Sequence, residues 1–229
     1  MMMNYFFRYV EDGQTSIQMP WVWFGLFIAT LIVYRFRTNE KLLTTLIVLG
    51  LGTQGLMLYW YLGNPKLFLM EGLPLYHCRI AAIMTGIGYF THRPKLTKFF
   101  AWLGLVGALV AFSVPDPSPY LWPHVSNITY IGNHVLLILI GMMVLSQEKV
   151  ALEWHRVLAY SVTMNIVIVI FNQILGYNYS YLQELPPALN FQVPMLAIFS
   201  VMTALMVGVI YGLDRQLTYR QQHHIILYT

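Results

Sequence analysis

The chain has 229 residues, of which 58% are hydrophobic and only 10% are charged, and its formal net charge is +4. So little polar surface cannot cover a water-soluble globule of this length, which excludes the soluble classes of enzyme and binding protein. The positive charge requires no nucleic-acid partner, because the basic residues fall between apolar stretches that are long enough to cross a bilayer. We therefore predict an all-α polytopic membrane protein.

Seven apolar stretches predict seven transmembrane helices, each about as long as a hydrocarbon core of about 30 Å requires. The predicted spans are 20–37, 41–62, 74–91, 97–113, 130–146, 154–175 and 193–213. They divide the chain into an N-terminal arm (1–19), a seven-helix transmembrane domain (20–213) and a C-terminal tail (214–229).

The basic residues are distributed unequally between the two sides of the predicted bundle. Those that follow the odd-numbered spans are Arg35, Arg37, Lys41, Arg93, Lys95, Lys98, Lys149, Arg156, Arg215 and Arg220. The opposite side holds only Arg8 and Lys66, and Arg79 lies within a span. The positive-inside rule therefore predicts an N-terminus outside the cell and a cytoplasmic C-terminus.

Polar side chains recur near the outer ends of these spans or just beyond them. In chain order they are Gln54, His77, Cys78, Arg79, Asn133, His134, Asn172, Gln173 and Asn178. An ionisable group inside a span costs roughly a few kcal/mol unless it lines a cavity that protein or water fills. With a rise of about 1.5 Å per residue, Cys78 and His134 each lie about 6 Å inside their spans. We therefore predict a polar pocket that opens toward the outer leaflet.

Cys78 is the only cysteine, so no disulfide can form within the chain. A cysteine becomes a nucleophile when an imidazole takes its proton or when nearby positive charge stabilises the thiolate. His134, on another helix, is the candidate base, and Arg79 or His77 is the candidate source of positive charge. The candidate hydrogen-bond donors to a developing oxyanion are Asn133, Asn172 and Gln54.

Two other interpretations of these residues remain open. Cys78 could be a small packing residue and His134 an interhelical hydrogen-bonding residue. A zinc site is the second alternative, because zinc accepts imidazole and thiolate ligands. Its candidate ligands are His77, Cys78, His124 and His134. Their spacing matches no specific zinc pattern, so we predict no metal and no cofactor.

Several motifs in the chain resemble a known family. They are Leu73-Pro74-Leu75 followed by Cys78, Pro115-Asp116, His134, and Asn172 followed by Leu175-Gly176-Tyr177-Asn178-Tyr179-Ser180-Tyr181-Leu182. Together they resemble the bacterial YwaF-like integral membrane family over nearly the whole chain. More distantly, the pattern is similar to a eukaryotic multispanning family that includes an ether-phospholipid acyltransferase, for which a cysteine is the proposed acyl carrier.

The resemblance implies that Cys78 is the acyl carrier and that His134 corresponds to the family's histidine at the head of the fifth span. It also implies a multi-pass protein of the bacterial plasma membrane. This sequence departs from the family at Tyr76, where the family often has histidine, and at Arg79, where an acidic residue often follows the cysteine.

We therefore expect a thiol-dependent acyltransferase or transacylase that acts on phospholipid or a lipid-linked acceptor at the outer leaflet. The residues expected to bind the substrate are His77, Arg79, Gln54, Asn133, Asn172, Gln173 and Asn178. The alternatives are a non-enzymatic lipid or small-molecule binding or transport protein, and a structural subunit of an envelope-synthesis complex. The sequence predicts no nucleic-acid partner and identifies no protein partner.

Overall fold

The computed structural model describes residues 2–185 and 192–226, and every regular element within those ranges is helical. The helices are α1 (Met2–Phe6), α2 (Met19–Arg35), α3 (Glu40–Leu62), α4 (Pro65–Leu67), α5 (His77–Phe90), α6 (Pro94–Ser113), α7 (Val125–Gln147), α8 (Trp154–Leu175) and α9 (Met195–Ile226). A π-helical turn, Phe68–Gly72, follows α4, and a 3-10 turn, Tyr179–Tyr181, follows α8. The prediction of an all-α polytopic membrane protein is confirmed.

Each of the seven predicted spans coincides with a helix, but the helices differ in their capacity to cross a bilayer. In the described part of the chain, five helices are long and apolar enough to do so, namely α3, α6, α7, α8 and α9. The count rises to six if the segment Pro65–Gly72 and α5, which meet at 82°, form one broken span. The apolar helix α2 is shorter, at 17 residues. The predicted orientation of the termini stays a prediction.

Several predicted span boundaries differ from the helix boundaries, and three of the differences have a local reason. α5 begins at His77 instead of residue 74, because Tyr76, with φ −78° and ψ 137°, is its extended N-cap residue. α7 begins at Val125 instead of residue 130, because His124 caps its first turn. α9 runs to Ile226, well past residue 213. The predicted boundary was the end of the apolar residues, and the helix continues beyond them.

The chain divides into two compact units, and the first comprises residues 1–148. In it, α6 packs between α5 and α7, while α3 packs against α7. Burial of apolar side chains is the main stabilising contribution, and the best-buried members of this core are Leu43, Ile47, Ala101, Met143 and Val144. This unit contains Gln54, the His77–Arg79 triplet, Asn133 and His134.

The second unit comprises residues 149–229, and in its described part α8 packs against α9. Asn165 Nδ2 donates to Thr203 Oγ1 at 2.9 Å between the two helices, where both side chains are buried. Leu152 N donates to the buried Asp214 carboxylate at 2.8 Å, which ties the segment before α8 to α9. Residues 186–191 and 227–229 lie outside the described residues, and with them part of the predicted tail.

Candidate functional site

The chain bends sharply just before Cys78. The helical segment Pro65–Gly72 and α5 meet at 82°. Leu73 joins them in an extended conformation, with φ −63° and ψ 144°, as the following Pro74 requires. The bend places Cys78 at the second position of α5 and not in the middle of a continuous helix.

Arg79 stabilises this bend from the α5 side. Its Nη1 donates to the carbonyl oxygens of Glu71 (2.8 Å), Gly72 (3.2 Å) and Leu73 (3.4 Å), and its Nη2 donates to Tyr61 Oη (3.3 Å). Carbonyl groups at a helix end have no helical donor and need another partner. The Nη1 group supplies that partner, and Nη2 is engaged by Tyr61 Oη. A direct role of Arg79 in substrate binding stays a prediction.

The first turn of α5 presents unused backbone donors beside the thiol. The first helical hydrogen bond runs from Ile80 N to Tyr76 O at 2.9 Å, and the Tyr76 side chain does not cap the helix. Among the described residues, no acceptor contacts the backbone N–H groups of Cys78 and Arg79. These two groups point out of the helix N-terminus, where partial positive charge favours an anion.

Cys78 packs against α6 where that helix carries no side chain. A methyl group at Gly107 would come within 3.2 Å of Cys78 Sγ, closer than an ordinary van der Waals contact. The Cys78 side chain is partly buried, and the thiol is free. Gly107 therefore determines the space that the sulfur occupies.

The hydrogen bond of His134 Nδ1 defines the tautomer of the ring, which packs against α6. Its Nδ1 lies 2.7 Å from the carbonyl oxygen of Tyr130, which can only accept, so Nδ1 carries the hydrogen. Nε2 therefore has a lone pair, and no described residue donates a hydrogen bond to it. The ring packs at 5.5 Å from the Phe112 ring of α6, measured between centroids. The tautomer leaves Nε2 as the acceptor nitrogen of the ring.

Cys78 and His134 both pack against α6, Cys78 at Gly107 and His134 at Phe112. One turn further into the bundle, a methyl group at Gly104 would lie 2.7 Å from Leu137 Cδ2 and 3.4 Å from Ala81 Cβ. Ala81 follows Cys78 by three residues and Leu137 follows His134 by three, and residues at that spacing share a helix face. Counted from the starts of their predicted spans, Cys78 and His134 lie at equal depth. Counted from the starts of the helices their positions differ, because Cys78 is near the start of α5 and His134 is over two turns into α7.

Tyr130 is a further member of this cluster, and it was not predicted from the sequence. Its Oη donates to Ala111 O at 2.7 Å. That carbonyl lacks its usual helical donor, because the residue four positions later is Pro115. The available signal was its position four residues before His134, which places both side chains on one face of α7.

Gln54 and Asn133 bind each other and do not join the Cys78 cluster. Gln54 Nε2 donates to Asn133 Oδ1 at 2.7 Å between α3 and α7. Asn133 and His134 are adjacent in the helix and thus point about 100° apart. The pair is an interhelical hydrogen bond, while the predicted role of either residue in binding substrate stays a prediction.

We expect the Gln54–Asn133 hydrogen bond to contribute a small, measurable coupling to stability. A double-mutant cycle with Gln54→Leu and Asn133→Leu should give a coupling energy of about 0.6 kcal/mol, the mean for hydrogen bonds between membrane helices. The measurement is reversible unfolding in mixed micelles. Additive single effects would show that the two amides are not coupled.

The three predicted site residues of the second unit stabilise the loop after α8. Asn172 Oδ1 accepts from Tyr179 N at 2.8 Å and its Nδ2 donates to Tyr179 O at 3.0 Å. Asn178 bonds the backbone of residues 183 and 184, and Gln173 contacts Met195 Sδ at 3.2 Å. The asparagine contacts involve the described loop residues up to 184, the Gln173 contact is with α9, and the substrate-binding role of the three residues stays a prediction.

The candidate zinc ligands do not assemble. Within the described residues, no group of three or more His, Cys, Asp or Glu side chains could hold a metal ion. His124 uses both ring nitrogens at the start of α7, where Nδ1 bonds Ser126 and Nε2 bonds Arg8 O. His77 is partly buried at the first position of α5.

Comparison with known proteins places the chain in a family. A family model described as the TMEM164 family matches residues 13–213, a range that includes every residue of the candidate site. No curated protein and no solved structure shows a significant match. The family match extends over most of the chain, from the N-terminal arm into α9. The chain therefore belongs to the TMEM164 family of multi-pass membrane proteins.

Proposed function

We propose that this membrane protein is a thiol-dependent acyltransferase or transacylase that acts on phospholipid or a lipid-linked acceptor. The observation that carries the proposal is the tautomer of His134, whose Nδ1–H bonds Tyr130 O and leaves Nε2 as a base. Cys78, the only thiol of the chain, packs against α6 at Gly107, and His134 packs against the same helix at Phe112. A base and a nucleophile on neighbouring helices are the minimum that acyl transfer through a thioester needs.

The first half-reaction transfers an acyl group to the enzyme. Burial disfavours a free thiolate, so proton transfer to His134 Nε2 accompanies attack of Cys78 Sγ on the ester carbonyl of the donor lipid. The carbon–oxygen bond of the ester then breaks, and the proton on His134 passes to the departing alkoxide. The products are a lysolipid and an acyl thioester on Cys78.

The tetrahedral intermediate of that step carries its negative charge on the former carbonyl oxygen. The unpartnered N–H groups of Cys78 and Arg79 are positioned to donate to it from the N-terminus of α5. One such donor is worth about 2.7–4 kcal/mol of transition-state stabilisation in a site that excludes water. This proposal assigns the oxyanion to backbone groups instead of Asn133, Asn172 or Gln54.

The second half-reaction returns the enzyme to its starting state. The hydroxyl group of a lysolipid or lipid-linked acceptor attacks the thioester carbon while His134 Nε2 takes the hydroxyl proton. The carbon–sulfur bond breaks, and His134 returns the proton to Cys78 Sγ. The net change exchanges one ester for another, so no external energy source is needed.

Trapping the acyl-enzyme tests the proposal directly. Purified wild-type protein, Cys78→Ala and Cys78→Ser would be incubated with a phospholipid carrying a deuterated acyl chain and examined by intact-protein mass spectrometry. We expect one labelled acyl group on the wild type, removed by neutral hydroxylamine, and none on Cys78→Ala. Because the chain has a single cysteine, the adduct has only one possible thiol.

Two outcomes would contradict a thioester mechanism. The first is no adduct on folded wild-type protein with phospholipid still co-purifying, which favours the lipid-binding or transport alternative. The second is an adduct of equal yield on Cys78→Ala, which would place the acyl group elsewhere. An adduct on Cys78→Ser that resists hydroxylamine would support the proposal, because a serine oxygen forms a stable oxyester at the same position.

A further inference from the structure

Hydrogen bonds bring several connecting segments of the first unit together at one end of its helices. These segments are the loop between α2 and α3, the turn between α5 and α6, and the end of α7. Gln147 Nε2 donates to Arg37 O at 2.9 Å, which joins the end of α7 to the α2–α3 loop. Thr44 Oγ1 and Tyr89 Oη lie 2.7 Å apart, which joins the first turns of α3 to the end of α5. The three segments therefore lie side by side.

The turn between α5 and α6 is tight and ends at Arg93. Arg93 N donates to Gly88 O at 2.8 Å, and His92 has a φ of 53°, so the chain reverses direction within a few residues. Gly88 permits this close approach, since a methyl group there would lie 2.7 Å from Thr97 Oγ1. The turn therefore keeps Arg93 beside the end of α5.

Lys41 lies on the other side of the contact between α3 and α5. It precedes Thr44 by three residues, and residues at that spacing lie on the same face of a helix. Arg93 follows Tyr89 by four residues, across the turn. Because Thr44 and Tyr89 are hydrogen-bonded, Lys41 and Arg93 extend from neighbouring helix ends.

This end of the first unit carries an excess of positive charge, and we call it the basic end. Its basic residues are Arg35, Arg37, Lys41, Arg93, Lys95 and Lys98, and its acidic residues are Glu40 and Glu148. Lys98 is fully buried. Arg35, Lys41 and Arg93 are exposed, and within the part of the chain that the structure describes they have no ion-pair partner.

The opposite end of the same unit has no such excess. Its basic residues are Arg8, Lys66 and Arg79, and its acidic residues are Glu11, Asp12, Glu71 and Asp116. The two ends of one bundle of helices therefore present opposite charge balances to their surroundings.

Exposed aromatic side chains lie beside the basic end. Tyr34 and Phe36 are at the end of α2, Phe90 is the last residue of α5, and each of the three is about half exposed. The Arg37 guanidinium lies 4.3 Å from the centroid of the Tyr34 ring. Aromatic rings at the ends of membrane helices are typical of the headgroup level of a bilayer. We therefore expect the cations beside them to lie at the depth of the lipid phosphate groups.

We propose that the basic end binds the headgroups of anionic phospholipids, with Lys41 and Arg93 as principal contacts. Arginine binds phosphate through paired hydrogen bonds and lysine binds it as a point charge. A zwitterionic lipid carries a cation beside its phosphate, so the excess positive charge favours a lipid with net negative charge. The interaction does not depend on the chemistry proposed for Cys78, which lies at the other end of α5.

Competition between two lipids tests this binding. The full-length protein in detergent would be mixed with equal amounts of phosphatidylglycerol and phosphatidylcholine of matched acyl chains, and bound lipid would be counted by native mass spectrometry. A basic residue near an anionic membrane surface contributes about 1 kcal/mol, or about fivefold in affinity. We expect the wild type to prefer phosphatidylglycerol by about tenfold or more. Lys41→Gln and Arg93→Gln should each lower this preference about fivefold, and the double variant should show none.

Lys66→Gln is the matched control, because it removes one exposed lysine from the opposite end of the same unit. Its preference should equal that of the wild type. An equal loss of preference in Lys66→Gln and Lys41→Gln would overturn the proposal, since overall charge would then be responsible. Equal affinity of the wild type for the two lipids would also overturn it, because the basic end would then bind water or a soluble partner instead of lipid.

The salt dependence of the wild type keeps the test decisive if the variants do not fold. The Debye length falls from about 10 Å at about 0.1 M ionic strength to about 3 Å at about 1 M. Raising the concentration of ammonium acetate over this range should lower the preference for phosphatidylglycerol about fivefold or more and leave phosphatidylcholine binding unchanged. A preference that does not respond to salt would contradict headgroup binding by the exposed cations.

Discussion

Replacement of His134 by alanine is expected to lower the rate of acyl transfer by about 10²–10⁴-fold, the usual contribution of a positioned general base. The variant keeps Cys78, so a slow reaction should remain, and its rate should rise with pH as hydroxide replaces the missing base. Added imidazole should restore part of the rate by entering the space that the side chain leaves. The measurement is turnover of a labelled phospholipid by the purified protein in nanodiscs.

A matched histidine variant and a stability measurement separate catalysis from folding. His155→Ala changes an exposed histidine of the second unit and should leave the rate unchanged. Thermal unfolding of His134→Ala in detergent should still be cooperative, because a lost buried ring lowers stability without removing the core. A rate within threefold of wild type, with the same pH profile and no response to imidazole, would rule out His134 as the base.

Replacement of Gly107 by alanine is expected to lower activity about tenfold to 10²-fold while leaving stability equal or higher. The added methyl group would lie 3.2 Å from Cys78 Sγ, so the sulfur has to move by a few tenths of an ångström. Small displacements of a reacting atom have large effects on rate. Alanine also favours a helix over glycine by up to about 1 kcal/mol, which opposes any loss of stability.

Gly55→Ala is the control for the Gly107 variant. Its methyl group would have no neighbour within 4 Å, so the substitution carries the same helix preference without touching the thiol. Both variants would be assayed for turnover and for the free energy of unfolding in mixed micelles. If Gly107→Ala loses stability and keeps full activity, Cys78 is a packing residue and not the nucleophile.

The positions of the helices could be predicted from the sequence because burial in lipid imposes a length and a composition that are visible in a single chain. The break in the helix before α5 was harder to predict from the sequence. Arg79 stabilises it through hydrogen bonds to carbonyl groups seven or eight residues earlier, and apolar periodicity carries no trace of such contacts. The continuation of α9 past residue 213 was missed for a similar reason, since backbone hydrogen bonds continue where apolar content ends.

The candidate site could be predicted in part. Cys78 and His134 were identified by residue type and by the rarity of such groups in apolar helices, and contacts with α6 now relate them. The hydrogen bond between Gln54 and Asn133 could not be predicted from the sequence, because the face on which a residue lies depends on the rotation of its helix in the bundle. The backbone N–H groups of Cys78 and Arg79 could not be identified from the sequence either, since they are left without a helical acceptor only because of the bend.

The length of α5 has a consequence for the lipid around the first unit. Its 14 residues rise about 21 Å, about 9 Å less than a hydrocarbon core of about 30 Å. α5 reaches the length of a span only together with Pro65–Gly72. Local thinning is one way in which a bilayer accommodates a short helix, at a cost of fractions of a kcal/mol for each ångström of mismatch. Thinning draws the phospholipid ester groups inward, toward the level of Cys78. For the lipid substrate that we propose, such thinning would shorten the distance that the ester is lifted to meet the thiol.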